Sequence, residues 1–378
     1  MTGSAGDNTT LDGDGEEEQA VFDDLELVAS EGFAAWLRAQ DVSLAFGTPP
    51  MKLWLIGTDD AGELSVFDRE FDKVMGLAFD GLNRLWVANR YEVWRFENVL
   101  PPGMLTADGH DRLFHPRQMY PTGDVNIHDL AIEGDGRDLW VNTRFGCLAS
   151  TSETASFVPR WTPPFLPGPQ AGDRCHLNGL AMKDGEAAWV TCVSPVTEVD
   201  RWRDGRRDQG CVLDVDSGEV VVTGLSMPHS PRWHDGRLWV ANAGTGELGV
   251  VDIERGRFEP VAFAPGFLRG LCFVGHYAVV GSSKPRRGDI YSGLPLDDAL
   301  ESRGLEPHLG LFVIDTTSGE LVEWFLVEGR VRELFDVCAL PGVRRPAAVG
   351  LIADDVRSDL WVDLTFPLPA DAAVGVLP

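Results

Sequence analysis

Three histidines stand at or just before the start of a short apolar segment. His128 opens "HDLAIE", His176 lies two residues before "NGLAMK", and His229 directly precedes "SPRWHD". Neutral imidazole is the commonest metal ligand near physiological pH. Three imidazoles suit Fe, Cu or Zn rather than Ca or Mg, which prefer oxygen ligands. Three protein ligands also leave a coordination position for water, substrate or O₂, which is typical of a catalytic metal centre.

The segments that carry these histidines belong to an internal repeat. Its most regular string is "LWLIGT" from Leu53, "LWVANR" from Leu85, "LWVNTR" from Leu139, "AWVTCV" from Ala188, "LWVANA" from Leu238 and "AVVGSS" from Ala278. Further apolar runs precede and follow most of these strings. Four short strands thus recur at a spacing of about 30 to 55 residues, which is the pattern of a β-propeller. We predict an all-β, six-bladed β-propeller.

The two ends of the repeat array predict how the ring closes. The first repeat lacks its own first strand, whereas "RELFDVCALPG" at 332–342 has that strand's pattern with no "LWV" string after it. The C-terminal strand is therefore expected to complete the blade begun by residues 50 to 70, which removes the exposed edges of an open sheet. The pattern over residues 21–40 predicts a short amphipathic helix outside the ring.

This architecture predicts that the three histidines meet. The first strand of every propeller blade lines the central channel, so residues at the starts of these strands surround one mouth. We expect His128, His176 and His229 to hold a transition metal there, with Fe or Cu slightly preferred and Zn or Mn possible. Acid–base or substrate contacts without metal, or a structural polar plug, are the alternatives. Three carboxylates near the mouth are candidate catalytic groups, as a fourth ligand, an orienting partner or a general base: Asp129, Glu333 and Asp336.

Cationic residues near the same mouth indicate the substrate. Guanidinium groups recognise carboxylate or phosphate bidentately, and gathering them in an acidic chain is costly unless an anion binds. Salt bridges around the rim are the alternative interpretation. The predicted substrate-binding residues are Arg90, Arg144, Arg174, Asn178, Arg269 and Lys284. Three long insertions, at 99–124, 194–210 and 283–304, are expected to form walls or lids around the mouth.

Charge and composition limit the partners and the location. The net charge of −27 argues against nucleic acid and anionic membrane. No apolar run reaches the length of a membrane span, and the first residues do not resemble a signal peptide, so we expect a cytoplasmic protein.

Residues 1–26 hold nine acidic residues and no basic one, so residues 1–20 are expected to be a disordered tail before a single propeller domain at 21–378. The six cysteines are expected to be buried free thiols.

Several motifs resemble one known family. The strings "TGDVNIHDLAI", "DRCHLNGLAM", "GLSMPHSPRWHDGRLWVANAGTGELGVVD" and "ELFDVCALPGVRRP" are similar to a bacterial family of conserved hypothetical proteins classed as a domain of unknown function. The resemblance covers roughly residues 40–347 and implies no activity. It implies that the following residues belong to the family's recognisable motifs: His128, Asp129, Arg144, Arg174, His176, Asn178, His229 and Arg269. At fold level the layout is similar to streptogramin lyases, gluconolactonases and carotenoid oxygenases, which hold a metal at the propeller axis.

These observations favour a metal-dependent enzyme acting on a small anionic molecule or a peptide. Redox chemistry with Fe or Cu is slightly preferred to a metal-assisted lyase, isomerase or hydrolase reaction. The alternative from another class is a non-catalytic ligand-binding or scaffold propeller. Fold similarity does not choose among them.

Overall fold

Six antiparallel sheets surround a central channel in the computed structural model, which describes residues 25–49, 52–285 and 291–350. Each sheet is one propeller blade, and in blades 2 to 6 the four blade strands are consecutive in the chain. The outer edge of blade 6 carries an extra strand, β1 (Glu26–Ala29). Blade 1 contains β2 (Val42–Thr48), β3 (Lys52–Thr58) and β4 (Leu64–Glu70). Blade 2 contains β5 (Gly76–Phe79), β6 (Arg84–Ala88), β7 (Glu92–Asn98) and β8 (Arg112–Pro121).

The remaining blades follow in chain order. Blade 3 contains β9 (Ile127–Ile132), β10 (Asp138–Asn142), β11 (Cys147–Ser150) and β12 (Val158–Trp161). Blade 4 contains β13 (Leu177–Lys183), β14 (Glu186–Cys192), β15 (Gly210–Asp214) and β16 (Val220–Leu225). Blade 5 contains β17 (Pro228–His234), β18 (Arg237–Asn242), β19 (Glu247–Asp252) and β20 (Arg257–Phe263). Blade 6 contains β21 (Phe267–Val274), β22 (Tyr277–Ser283), β23 (Gly310–Asp315) and β24 (Leu321–Glu328).

The ring closes in blade 1, as predicted. Strand β25 (Asp336–Pro341) forms the inner edge of that blade and pairs antiparallel with β2 along its length. A final short strand, β26 (Pro346–Ala348), pairs parallel with β8 on the outside of blade 2. The first and last blades are thereby joined by backbone hydrogen bonds, and the central channel is enclosed.

One strand assignment in blade 1 was wrong. The "LWLIGT" string was aligned with the second strands of the other blades, but it is the third strand, β3. The second strand is β2, "VSLAFGT", which has no tryptophan and was not recognised. Both strands are almost wholly buried because neighbouring blades cover both of their faces. Two adjacent buried strands therefore look alike in sequence, and Trp54 made the wrong one resemble the repeat.

Two helices lie outside the blades in the described residues. Helix α1 (Phe33–Ala39) packs Phe33 and Trp36 against Phe325 and Tyr277, which covers the seam between blades 6 and 1. It is shorter than the helix predicted over 21–40, because residues 26–29 form β1. Helix α2 (Pro295–Arg303) follows β22.

The predicted tail at 1–20 lies outside the described residues. None of the helices in the described part is long and apolar enough to cross a membrane. All six cysteines are free thiols, four of them buried.

Candidate metal centre and anion cavity

His128, His176 and His229 meet in the channel, and this prediction is confirmed. One ring nitrogen from each lies within 4.8 Å of the others, and all three side chains are buried. His128 and His229 are the second residues of β9 and β17, and His176 directly precedes β13. The ring centroids of His128 and His176 are 4.8 Å apart, and those of His128 and His229 are 6.2 Å apart.

The hydrogen bonds of His128 determine which nitrogen carries its proton. Its Nδ1 lies 3.0 Å from the Asn126 carbonyl oxygen and 2.8 Å from Thr143 Oγ1. The Thr143 hydroxyl donates its own proton to the Leu177 carbonyl at 2.7 Å, so it can only accept from the ring. The proton is therefore on Nδ1, and Nε2 keeps its lone pair.

The other two rings are oriented in the same way. His229 Nδ1 donates to the Met227 carbonyl at 2.9 Å. His176 Nδ1 donates to the Asp173 carboxylate at 2.8 Å, an arrangement common around metal-binding histidines because it fixes the ring and raises its basicity. All three imidazoles thus present Nε2 as the available metal ligand.

Backbone strain accompanies this orientation. Asn126 and Met227, whose carbonyls accept from the rings two residues later, have φ values of 57° and 44°, and His176 itself has φ 52°. Such left-handed conformations are costly for residues other than glycine and are often found at functional sites. The local chain conformation is therefore held by the surrounding structure so that the three rings converge.

The protonation state also suits metal binding. Burial is the main cause that lowers the pKa of His128 and of His229 well below the usual range, and the nearby Arg269 cation lowers both further. Both rings are therefore neutral at pH 7, which is the form that binds a metal. Three atoms within 4.8 Å of one another lie no more than about 2.8 Å from a common point, so small inward shifts would reach the 2.0–2.1 Å typical of zinc–imidazole bonds.

Asn178 touches this centre from blade 4. Thr191 donates to its side-chain oxygen at 2.8 Å, which turns the amide nitrogen toward His229 Nε2 at 3.3 Å. A metal ion at the centre would replace that long hydrogen bond. Asn178, predicted to bind substrate, therefore lies beside the candidate metal position.

The histidines line a cavity of about 560 Å³ at the channel mouth. Around the channel from blade 2 to blade 1, the inner strands or the residues just before them contribute in turn Met75, His128, His176, His229, Arg269 and Phe335. The Trp202 ring stacks on His176 with centroids 4.0 Å apart. One arc of the channel wall is therefore polar, and the opposite arc, Phe335 and Met75, is apolar.

The cavity is strongly cationic although the protein is acidic. Its acidic lining residues are Asp173 and Glu333, and Asp173 is bonded to His176. Its cationic lining residues are Lys73, Arg90, Arg203, Arg269, Arg330 and Arg332. An excess of cations around a concave site attracts and holds anions. The cavity thus combines a possible metal position with an environment suited to an anionic ligand.

Three predicted substrate-binding residues lie elsewhere. Arg144 donates to the Asp124 carbonyl at 3.0 Å, Arg174 to the Thr197 carbonyl at 2.6 Å, and Lys284 pairs with Glu328 at 2.6 Å. None of the three is among the described residues that line the cavity. They follow the ends of strands or lie in connections, where a turn of the backbone carries a side chain away from the mouth.

Of the other predicted substrate residues, Arg90 and Arg269 do line the cavity. Arg90 also forms an ion pair with Asp72 at 2.8 Å on the rim. Among the predicted catalytic carboxylates, Glu333 lines the cavity, and Asp129 and Asp336 do not.

Asp129 and Asp336 are engaged in structural contacts. Asp129 receives hydrogen bonds from both terminal nitrogens of Arg232, at 2.7 and 3.0 Å, and from the Leu180 backbone N–H at 2.9 Å. Asp336 receives one from the Leu77 backbone N–H at 2.9 Å. These bonds use the carboxylate oxygens to connect blades, so they favour a structural role over the predicted catalytic one.

Several cavity residues were not anticipated from the sequence, among them Lys73, Trp202, Tyr291, Arg330 and Arg332. Lys73 could have been recognised from its position in the repeat. It stands two residues before Met75, as Asn126 stands two residues before His128. The insertion at 194–210 forms a wall of the cavity, as predicted, through Trp202 and Arg203, and the one at 283–304 does so through Tyr291.

The insertion at 99–124 was placed wrongly. Most of its second half is β8, the fourth strand of blade 2, and no residue of the insertion lines the cavity in the described structure.

Comparison with known proteins identifies a family and a fold. A family model described as "Domain of unknown function (DUF4915)" matches residues 31–349. No curated protein matches the chain. A chain in the nidogen/laminin complex is 10% identical, with a TM-score of 0.50, and the alignment covers 80% of this chain and 99% of that chain. This likeness shows the propeller fold alone.

Two further solved structures are more distant. A protein of unknown function from Bacteroides caccae is 15% identical, with a TM-score of 0.45, over 79% of this chain and 98% of that chain. Virginiamycin B lyase from Staphylococcus aureus is 14% identical, with a TM-score of 0.36, over 68% of this chain and 95% of that chain.

Proposed function

The chain belongs to the DUF4915 family, and we propose that it is a metal-dependent enzyme that acts on a small anionic molecule in the propeller channel. The observation that carries the proposal is the arrangement of His128, His176 and His229. Three buried rings from different blades each direct Nδ1 to a fixed acceptor, and one ring nitrogen of each lies within 4.8 Å of the others. A structural polar plug would not require all three rings to hold the ligand-competent tautomer.

The donor set indicates the class of metal. Three imidazole ligands favour Fe, Cu, Zn or Mn over Ca and Mg. When bound, such an ion would supply Lewis-acid or electron-transfer chemistry. The protein's own groups would hold it through three Nε2 atoms, attract an anion through the cationic lining, and restrict water through Trp202 and Met227. Redox chemistry with Fe or Cu is the preferred form of the proposal.

A second reaction class is supported by Lys73. Its amine lines the same cavity, 3.4 Å from the Asn126 side-chain oxygen. Burial, followed by the charge of Arg269, lowers the pKa of this lysine, so it gives up a proton more readily than an exposed lysine. A metal-assisted lyase or isomerase reaction with Zn or Mn, in which Lys73 moves the proton, is therefore the second candidate.

Metal content tests the proposal directly. Protein purified without a histidine tag is analysed for metals as isolated and after reconstitution with Fe, Cu, Zn or Mn. We expect about one ion per chain with at least one of these metals, and less than about 0.1 in the His128→Ala and His229→Ala variants. His234→Ala is the matched control, because that ring lies at the opposite end of β17 from His229 and stacks on Phe273 outside the cavity. Wild-type protein that binds none of the four metals would refute the metal-dependent reading.

The identity of the retained metal separates the two reaction classes. Retention of Fe or Cu, with a spectrum that changes on reduction, supports the redox form. Retention of Zn or Mn, with activity that depends on Lys73, supports the second candidate. In the second case Lys73→Met should retain the metal while losing turnover, because the amine is not among the metal ligands.

A further inference from the structure

Arg269 is a buried cation, and two of its three guanidinium nitrogens lack an acceptor in the described part of the protein. Its side chain is 5% exposed and lines the cavity. Its Nε and Nη2 atoms are buried and have no hydrogen-bond partner among the described residues. A guanidinium keeps its charge in proteins, and burial of an unpaired charge costs several kcal/mol. The position is therefore unfavourable unless an anion joins it.

The surroundings of Arg269 limit the charge of that anion. Glu333, Asp336 and Asp129 are close enough to act on Arg269 electrostatically, although none of them hydrogen-bonds to it. A phosphate-like dianion beside Arg269 would face the Glu333 and Asp129 carboxylates as well as the lining cations. A carboxylate carries one charge and two oxygens, and it suits paired N–H donors of a guanidinium. The local charge thus favours a monoanion.

The walls beside Arg269 limit the body of the ligand. Its guanidinium carbon lies 4.3 Å from the centroid of the Phe335 ring, on the apolar arc of the channel. Met75 and Val331, both buried, also line the cavity, as does Tyr291. An anion held at Arg269 would therefore place its remaining atoms against apolar and aromatic groups, with the histidines on the polar arc.

We infer that the cavity recognises a small monocarboxylic acid with an apolar or aromatic body, whose carboxylate binds Arg269 and whose body packs against Phe335, Met75 and Val331. This inference rests on the proposed function for the role of the ligand as substrate. The carboxylate site itself depends on Arg269 and not on a metal ion. Binding can therefore be measured on protein freed of metal by a chelator.

The test compares three probes of similar shape by isothermal titration calorimetry with the full-length, chelator-treated protein. Phenylacetate carries the carboxylate, phenylacetamide is its neutral analogue, and benzylphosphonate is the analogue with higher charge. We expect phenylacetate to bind at least tenfold more tightly than either of the others. Equal affinity for the acid and the amide would overturn the inference, and tighter binding of benzylphosphonate would assign the site to phosphate-like anions instead.

Variants connect this preference to one residue. Arg269→Gln should bind the acid and the amide equally, and Arg269→Lys should retain part of the preference. Arg144→Gln is the matched control, because that exposed arginine does not line the cavity. A preference for the acid that survives in Arg269→Gln would overturn the assignment.

The outcomes for metal and for carboxylate are separable. If wild-type protein binds no metal but prefers phenylacetate, the carboxylate site stands and the metal-dependent function fails. If it binds metal but does not distinguish the probes, the metal centre stands and this inference fails.

Discussion

Two arginines of the channel, Arg232 (partly buried) and Arg269 (buried), differ in how many hydrogen-bond acceptors they have. Arg232 donates to both oxygens of Asp129, to the Leu271 carbonyl at 2.9 Å and to the Leu180 carbonyl at 3.0 Å. Arg269 has no acceptor for two of its buried nitrogens among the described residues. Since buried polar groups are nearly always paired, the first arrangement is typical of a structural role and the second of a binding site.

The cluster around Arg232 connects the whole ring. Asp129 in blade 3 accepts from Leu180 in blade 4, and Arg232 in blade 5 donates to Leu271 in blade 6. Asp336 in blade 1 accepts from Leu77 in blade 2 and lies 3.7 Å from Arg232. One arginine and two carboxylates thus link all six blades. The comparison teaches that burial of an arginine does not by itself indicate a binding site. Hydrogen-bond donors without an acceptor, as in Arg269, do indicate one.

The largest expected effect is on stability at Arg232. Arg232→Met leaves Asp129 and Asp336 buried without their cation, so it should lower the free energy of unfolding by about 3–5 kcal/mol. Urea denaturation measures this change. Arg257→Met, at an exposed arginine on β20, is the control and should change stability by less than about 0.5 kcal/mol. A loss below 1 kcal/mol at Arg232 would remove the basis of the comparison.

The same cluster predicts a pH dependence. Burial, followed by the negative charge of Asp129, raises the pKa of Asp336. Because its pKa is higher in the folded state than in the unfolded state, Asp336 contributes most to the free energy of unfolding below its unfolded pKa. That contribution is lost as pH rises through the folded pKa. The loss can reach about 1.4 kcal/mol per pH unit in that window.

Asp336→Asn should remove this contribution. Urea denaturation at several pH values between 5 and 8 should show that the variant becomes more stable relative to wild type as pH rises. A stability difference that is constant over this range would show that Asp336 does not titrate there. The variant lacks the same hydrogen bonds at every pH, so their loss shifts its free energy of unfolding by a constant amount and does not change the pH dependence.

A smaller effect is expected on metal affinity at Asp173. Its carboxylate orients His176 without being one of the three ligands, so Asp173→Asn should weaken metal binding by about 10- to 100-fold. Competition with a chromophoric chelator measures the affinity. Asp252→Asn, at a partly exposed carboxylate on β19 paired with Arg255, should not alter the metal affinity. Unchanged affinity in Asp173→Asn would mean that the metal does not use His176.

The smallest expected effect is on stability at Arg269. Arg269→Met removes a buried charge that has no hydrogen-bonded acceptor, so the free energy of unfolding should stay within about 1 kcal/mol of wild type or rise. The same urea series used for Arg232 measures it. A loss of 3 kcal/mol or more would show that Arg269 is a structural partner like Arg232, and the two arginines would no longer differ.

The sequence contained enough information for the fold and for the centre of the site. The repeated strings gave the blades, and placing each histidine at a strand start was sufficient to bring His128, His176 and His229 together. Strand orientation was harder to predict. Asp129 directly follows His128 but its carboxylate faces the inter-blade cluster, because adjacent residues of a strand point to opposite sides.

Connections between strands were the least predictable part. Lys73, Trp202 and Tyr291 reach the cavity from segments whose paths depend on long-range packing. Lys284 was expected at the mouth, but it pairs with Glu328 at the end of β24 in the same blade. Periodicity specifies the strands and gives little information about the loops that complete the cavity.

Ring closure by β25 also sets the order in which the site can assemble during synthesis. A nascent chain that has emerged from the ribosome through β21 already contains the three histidines and Arg269. It lacks Phe335 and Asp336, which arrive only with the strand that closes blade 1. The ligands and the guanidinium are thus made on an open arc of blades. The apolar wall and the carboxylate that completes the Arg232 cluster are added in the last step, so the cavity acquires its final shape only when the chain's last inner strand docks.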